Sequence, residues 1–267
     1  MGTMLPRRPL AIVTGASSGI GYELAKQFAT NGFDLVVCAD HEDIHTAAMD
    51  FARFTHRVHA VQVDLGEYDG VETLYAAAQH VGPVDALAVN AGFGIGGDFA
   101  RETALRDELR MIQLNVVSTV HLTKRVVKDM VTRGRGRILI TASIAGAMPA
   151  PLQAVYDATK AFDLSFAASL RHELRDTGVS ITAMVPGPTD THFFHRAGLD
   201  DTKVAEEKNH PADVAKQGFE ALMAGKDRVF AATSLGTKLQ AAAERFVPEA
   251  FKAERHRKMS EHGSAKK

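Results

Sequence analysis

The sequence predicts a single α/β domain whose parallel sheet is wound on both faces. Two observations carry this. Short apolar runs alternate with longer amphipathic stretches, and the connections are long enough to hold crossover helices. No linker, internal repeat or low-complexity tract interrupts that alternation across 267 residues, a length sufficient to bury a full core.

The runs are LAIV (10–13), DLVVCA (34–39), HAVQVD (59–64), DALAVN (85–90), RILITA (137–142), VSITAMV (179–185) and RVFAA (228–232). They are nearly continuous in hydrophobicity and bounded by Gly, Asp or Pro, as strands buried on both faces should be. Between them lie helix-length segments. The stretch 102–131 carries apolar residues at 105, 109, 112, 116, 120 and 127, close to the helical period.

Composition excludes several function classes. Hydrophobic residues at 45% and charged residues at 24% match a globular domain. A formal net charge of −1 gives no electrostatic reason to expect nucleic acid or an anionic membrane as partner. The single cysteine, Cys38, lies in an apolar run, which suits a reducing compartment. The apolar stretch Leu10–Val13 is too short for a secretory leader, and Pro6 stands where a myristoylation signal wants Ser or Thr. No run approaches the roughly 20 apolar residues of a membrane span. A soluble, cytoplasmic protein is expected.

TGASSGIG (14–21) follows the first strand and opens a helix. Within it GASSG fits the G-x-S-x-G of a hydrolase nucleophile. A serine on the first strand, however, has no earlier strands to build the oxyanion loop it would need. A phosphate cradle uses every residue instead. Gly15 allows the tight turn, Gly19 and Gly21 let backbone and helix approach a pyrophosphate, and Ser17 and Ser18 offer hydroxyls or a cap. Free N–H groups at the helix start then point at the negative charge.

Asp40 ends the second strand, 19 residues after Gly21. An acid at that distance can bind adenosine ribose hydroxyls and repel a 2′-phosphate. Its bland alternative is a cap for the helix beginning near Glu42. HEDIH (41–45) has the spacing of zinc-peptidase ligands, but Phe51 stands where the extended pattern wants a third histidine, and Glu67 lies in a loop. No metal site is expected.

Two Tyr–Lys pairs share the Y-x-x-x-K spacing, Tyr22/Lys26 and Tyr156/Lys160. With 4 Tyr and 13 Lys in the chain, chance alone supplies about 0.2 copies, so the motif is weak by itself. Context separates them. Tyr22 lies on the helix after the glycine loop, where a packed tyrosine beside a solvated lysine accounts for it. Tyr156 follows a strand that delivers Ser143 to its carboxyl end, where ligands bind in open α/β sheets. A phenol titrates near 10, and Lys160 one turn on is the cation that favours its anion. Ser143 can hydrogen-bond a substrate oxygen.

At this point the sequence resembles the short-chain dehydrogenase/reductase family. The matching stretches are TGASSGIG (14–21), Asp64–Leu65, NAG (90–92), Asn115, Ser143, YDATK (156–160) and PGPTDT (186–191). They come in the family's order and fall within residues 10–232. The resemblance implies one doubly wound Rossmann domain over 1–232, with seven parallel strands ordered 3-2-1-4-5-6-7, and residues 233–267 as a helical tail of that domain. It implies reversible hydride transfer between a nicotinamide dinucleotide and a carbonyl or secondary alcohol. Asn115, Ser143, Tyr156 and Lys160 would form the catalytic tetrad, Asn115 holding a water that links Lys160 to solvent. The cofactor would meet Gly15, Ser17, Ser18, Gly19, Ile20 and Gly21, then Asp64 and Leu65 at adenine. Asn90, Ala91 and Gly92 would line its adenosine side, and Pro186, Gly187, Thr189 and Thr191 its nicotinamide side, with Tyr156 and Lys160. Two departures stand out: Val89 replaces the first Asn of the usual NNAG, and the tail runs past the last strand.

Asp40 and the lack of Arg or Lys in the glycine loop and at 41–45 favour NAD over NADP. A nucleotide-sensing regulator on the same fold is the rival from another class, but a sensor has no need of Lys160 beside Tyr156. Loops 93–99, 144–153 and 191–199 are mainly small, aliphatic or aromatic, with Arg196 their one Arg or Lys, so an apolar small-molecule substrate is expected. The resemblance also implies a homodimer or homotetramer. In the tail, Leu235, Leu239, Ala242, Phe246 and Val247 recur at helical spacing before Pro248, and Phe251 resumes the stripe. That stripe can cover the substrate cleft, a partner subunit or the sheet.

Overall fold

The computed structural model describes residues 7–191, 193–199, 201–203, 208–232, 249–261 and 263–266. Its seven strands are β1 (Leu10–Thr14), β2 (Asp34–Ala39), β3 (Val58–Gln62), β4 (Val84–Val89), β5 (Gly136–Thr141), β6 (Val179–Pro186) and β7 (Arg228–Ala231). They form one sheet in the order β3-β2-β1-β4-β5-β6-β7, and every pairing is parallel. The predicted order and strand positions are therefore those observed.

Helices α1 (Gly19–Thr30), α2 (Asp43–Phe51) and α8 (Pro211–Met223) cover one face. Helices α3 (Tyr68–Val81), α5 (Ser118–Thr132) and α6 (Ala154–Glu173) cover the other. A single helical turn, α7 (Phe193–Arg196), lies between β6 and α8. Strand alternation feeds both layers. Ile12, Val36, Leu87 and Ile138 pack against Leu74, Leu122, Val126 and Leu164. Their strand neighbours Ala11, Val13, Leu35 and Ala86 pack against Leu24, Phe28, Ile44 and Leu222. This double burial is why each strand reads as a continuous apolar run. Val89, the departure from NNAG, is buried in the first of these layers.

The stretch 102–131 departs from the expectation of one regular helix. It is α4 (Leu105–Ile112), a π turn (Gln113–Val117) and α5 (Ser118–Thr132) in succession. The predicted stripe faces the core only at Val127: Leu105, Leu109 and Val120 are exposed, whereas Glu108, Met111, Asn115, Leu122, Val126 and Met130 are buried with Val127. A π turn carries i→i+5 bonds, so the face that packs turns relative to a straight α-helical count.

Past β7, Leu235, Leu239, Ala242, Phe246, Val247 and Pro248 lie outside the described residues. The backbone resumes as α9 (Glu249–Ser260), which contains Phe251. Its solvent face carries Arg257 and Lys258, paired with Glu261 and Glu254. No helix among the described residues is long and apolar enough to cross a membrane.

Candidate active site

The carboxyl ends of the central strands open into one cleft of about 1720 Å³. At one end the glycine loop leaves β1. Gly15 and Gly19 sit at φ +65° and +58°, in the left-handed region where a side chain is strained. A Cβ on Gly21 would run into the Gly15 carbonyl and the Asn90 amide. Ser18, the N-cap of α1, makes no side-chain cap bond, so the first-turn N–H groups stay open. Ser17, Ser18, Gly19 and Ile20 line the cleft. Loop and helix start thus make a cradle with no Cβ at Gly15, Gly19 and Gly21 and rich in donors, which fits a pyrophosphate.

Thr14, which sequence reading passed over, locks this end together. Its hydroxyl accepts from Asn90 N and Ala91 N at 2.9 Å each, and its carbonyl accepts from Asn90 Nδ2 at 3.2 Å. Asp40 lines the cleft and is exposed; α2 starts with Glu42 as N-cap, so Asp40 does not serve as the cap. The Asp64 carboxylate is committed to Gly66 N and to Arg110 of α4, at 2.9 Å each, while Leu65 lines the cleft beside it.

Of the predicted tetrad, Ser143, Tyr156 and Lys160 line the cleft, whereas Asn115 is buried and does not line it. Tyr156 and Lys160 occupy the first two turns of α6, and Ser143 follows β5. Burial pushes the Tyr156 phenol up, the Lys160 cation and the Ser143 hydroxyl pull it back, and Asp163 and Asp157 push it up again. Burial also opposes the Lys160 ammonium, but Asp163 and Tyr156 more than offset this and its pKa is raised. Ser143 Oγ accepts from Ala145 N at 3.1 Å, which leaves its O–H free to donate. Asn115 sits inside the π turn. Its Nδ2 donates to Phe93 O at 2.9 Å and Thr159 Oγ1 at 3.0 Å, and its Oδ1 accepts from Phe93 N at 3.1 Å. The amide therefore staples the loop after β4 to α6.

At the nicotinamide side, Pro186, Gly187, Thr189 and Thr191 all line the cleft. Thr189 Oγ1 donates to Gly187 O at 2.8 Å, and a Cβ on Gly19 would press on the Thr191 side chain. Part of the remaining wall is apolar, with Phe93, Ile95, Ala145, Met148, Phe193 and Phe194, and part is polar, with Gln153 and Arg228. The Phe193 and Tyr156 ring centroids lie 5.2 Å apart. Of the predicted loop residues, Phe99 is 61% exposed and does not line the cleft, and the Arg196 side chain lies outside the described residues. Lys203, and His256 and Met259 of α9, line it instead. The tail docks beside them: Lys203 N donates to Ser264 Oγ at 3.0 Å, Gly263 N to Asp201 Oδ2 at 2.9 Å and Ala265 N to Asp201 O at 3.2 Å.

The competing motifs fall elsewhere. Tyr22 packs on Phe51 and donates to Asp50 Oδ2 at 3.2 Å, away from the cleft. His41 precedes α2 and faces Asp43, while His45 is exposed. Ser17 belongs to the cradle. Among residues missed from sequence, Asp163 alone carried a local signal, an opposite charge at i+3 from Lys160; Arg110, Lys203, His256 and Met259 reach the cleft through tertiary folding, and Thr14 is buried beneath it.

A family model described as short chain dehydrogenase matches residues 9–202. This chain belongs to the short-chain dehydrogenase family. A Streptomyces exfoliatus relative, 1-deoxy-11-beta-hydroxypentalenate dehydrogenase, is 34% identical over 229 residues, 82% of this chain and 81% of its own. Sulfoacetaldehyde reductase 2 of Chromohalobacter salexigens is 31% identical over 186 residues, 69% of this chain and 74% of its own. A short-chain dehydrogenase from Sphingobium yanoikuyae, solved in complex with NADPH, superposes with TM-score 0.79 at 27% identity, covering 89% of this chain and 93% of that one. A Burkholderia phymatum member solved with NAD shares the fold at TM-score 0.80 and 24% identity, over 89% and 93%. This short-chain dehydrogenase is an oxidoreductase that uses a nicotinamide dinucleotide.

Proposed function

We propose that this dehydrogenase prefers NAD and interconverts an apolar secondary alcohol and its ketone. The observation that carries the reading is the pairing of Tyr156, Lys160 and Ser143 with a wall of Phe93, Ile95, Met148, Phe193 and Phe194 in one cleft. The dinucleotide would lie along the Gly15–Gly21 cradle, with Asp40 and Leu65 toward its adenosine and Pro186–Thr191 toward its nicotinamide. When bound, it supplies or accepts the hydride.

The chain's own residues handle the proton. In ketone reduction Tyr156 gives its phenolic proton to the substrate oxygen, to which Ser143 donates a hydrogen bond. In alcohol oxidation Tyr156 takes that proton back, and Lys160 favours the phenolate. The aromatic wall orients apolar substituents and keeps water from the reacting carbon.

The NAD preference rests on Asp40, whose carboxylate enters no hydrogen bond or ion pair among the described residues. A 2′-phosphate there would meet a like charge. Measuring kcat/KM for NAD and NADP across a panel of secondary alcohols tests both halves. At least a roughly tenfold preference for NAD and for apolar substrates is expected. A tenfold preference for NADP, or for a phosphorylated or dicarboxylic substrate, would overturn the corresponding half.

A further inference from the structure

Lys160 is not a free cation beside Tyr156. Its Nζ donates to Thr141 O at 2.9 Å and to Asp163 Oδ2 at 3.0 Å. Both side chains are nearly sealed from solvent, at 7% and 2% exposure. The other carboxylate oxygen, Asp163 Oδ1, is buried with no hydrogen-bond partner among the described residues, so Lys160 is the group that holds this acid in the interior. An aliphatic residue would fill the position without desolvating a charge.

We propose that Asp163 is a positioning residue that clamps the Lys160 ammonium and offsets part of its pull on Tyr156. The proposal rests on Tyr156 as the proton-transfer group. An ammonium has three N–H donors, and Thr141 and Asp163 take two. The third is left for the cleft, so the direction of the cation is set before any ligand arrives.

The charge count gives the second consequence. With Tyr156 protonated, Lys160 charged and Asp163 ionised, the cluster is neutral, and losing a proton makes it a buried anion. Without the carboxylate the same step takes the cluster from a cation to neutral, which a low-dielectric site favours. The proton comes off a coupled Tyr156–Lys160 pair, so the argument holds whichever of the two gives it up. Asp157, on the same helix, also acts on Tyr156; burial pushes its carboxyl up to about 7. Facing the pair from other elements are Thr141 at the end of β5, Ser143 just after it, Asn115 of the π turn and Gly92, none of them charged.

The test compares wild type, Asp163→Asn and Asp163→Leu in ketone reduction from pH 6 to 11, with Tyr156→Phe as reference. Asn keeps size and a hydrogen-bond acceptor, and Leu removes polarity altogether; thermal melts establish that each variant is folded. The alkaline limb of kcat/KM should move to lower pH by roughly 1 unit or more in both. Asp157 titrates in all of these proteins and cancels from the comparison. Tyrosinate absorbance, read as each protein minus its Tyr156→Phe counterpart, should show the same downward shift without relying on turnover. A limb and an absorbance titration that stay in place, or move to higher pH, would overturn the role of Asp163. Full turnover in Tyr156→Phe would instead overturn the proton-transfer assignment beneath it.

Discussion

A phenol sealed from water resists ionisation, since burial penalises the charged form. Tyr156 is sealed in this way and becomes usable through the groups set around it: a cation one turn along α6 and a hydroxyl at the end of β5. Tyr22 has the same four-residue spacing to a lysine, but its neighbour is Asp50, and both burial and that carboxylate push its pKa up. Replacing Tyr156 by Phe should therefore lower kcat by about 10²–10⁴-fold and leave dinucleotide affinity, read by fluorescence titration, nearly unchanged. Replacing Tyr22 by Phe should leave kcat alone and cost about 0.5–1.5 kcal/mol in urea denaturation, the worth of its bond to Asp50. Equal losses of kcat from both substitutions would show that the spacing alone, and not the surroundings, decides the chemistry.

At the scale of elements, the strands were readable because each is buried on two faces, which writes a run of apolar residues into the chain. The glycine loop was readable for a related reason: close approach of backbone to backbone at Gly15 and Gly21 admits no other residue. The face of the 102–131 segment was readable only at Val127, the one buried residue of its expected stripe. Its packing side carries Glu108, Asn115, Ser118 and Thr119, polar residues that no hydrophobic count selects, and the π turn rotates α5 relative to α4. Asn115 makes that turn useful by tying it to Phe93 and Thr159. Asn115→Ala would leave the Phe93 N–H and C=O without their side-chain partner and remove one of the two bonds of Thr159 Oγ1, with an expected loss of roughly 2–3 kcal/mol in urea denaturation. A loss below about 0.5 kcal/mol would mean the π turn holds its shape without the staple. The pairs Thr14–Asn90 and Asp64–Arg110 were equally hidden, because their members meet only when separate strands and helices are assembled.

At the scale of the whole molecule, the described end of the tail has a definite place. Three hydrogen bonds fasten residues 263–265 to Asp201 and Lys203, and Ser260 and Ser264 are buried there. His256 and Met259 thereby enter the wall of the same cleft that holds Tyr156. The apolar stripe before Pro248 lies outside the described residues; for the end of the tail we propose a role as a wall of the chain's own cleft. Ending the chain after Ala232 should then raise KM for substrate by about tenfold, equivalent to 1.4 kcal/mol of lost contact. KM for the dinucleotide should change little, because the cradle, Asp40 and Leu65 lie on elements before the cut. Asp201→Ala, which loosens the docking and keeps every residue of the tail, should raise the substrate KM in the same direction by less. Light scattering on the truncated protein separates a cleft wall from a subunit contact. An unchanged mass with a raised substrate KM is the expected pair of results, whereas a changed mass with an unchanged KM would assign the tail to an interface between copies of the chain.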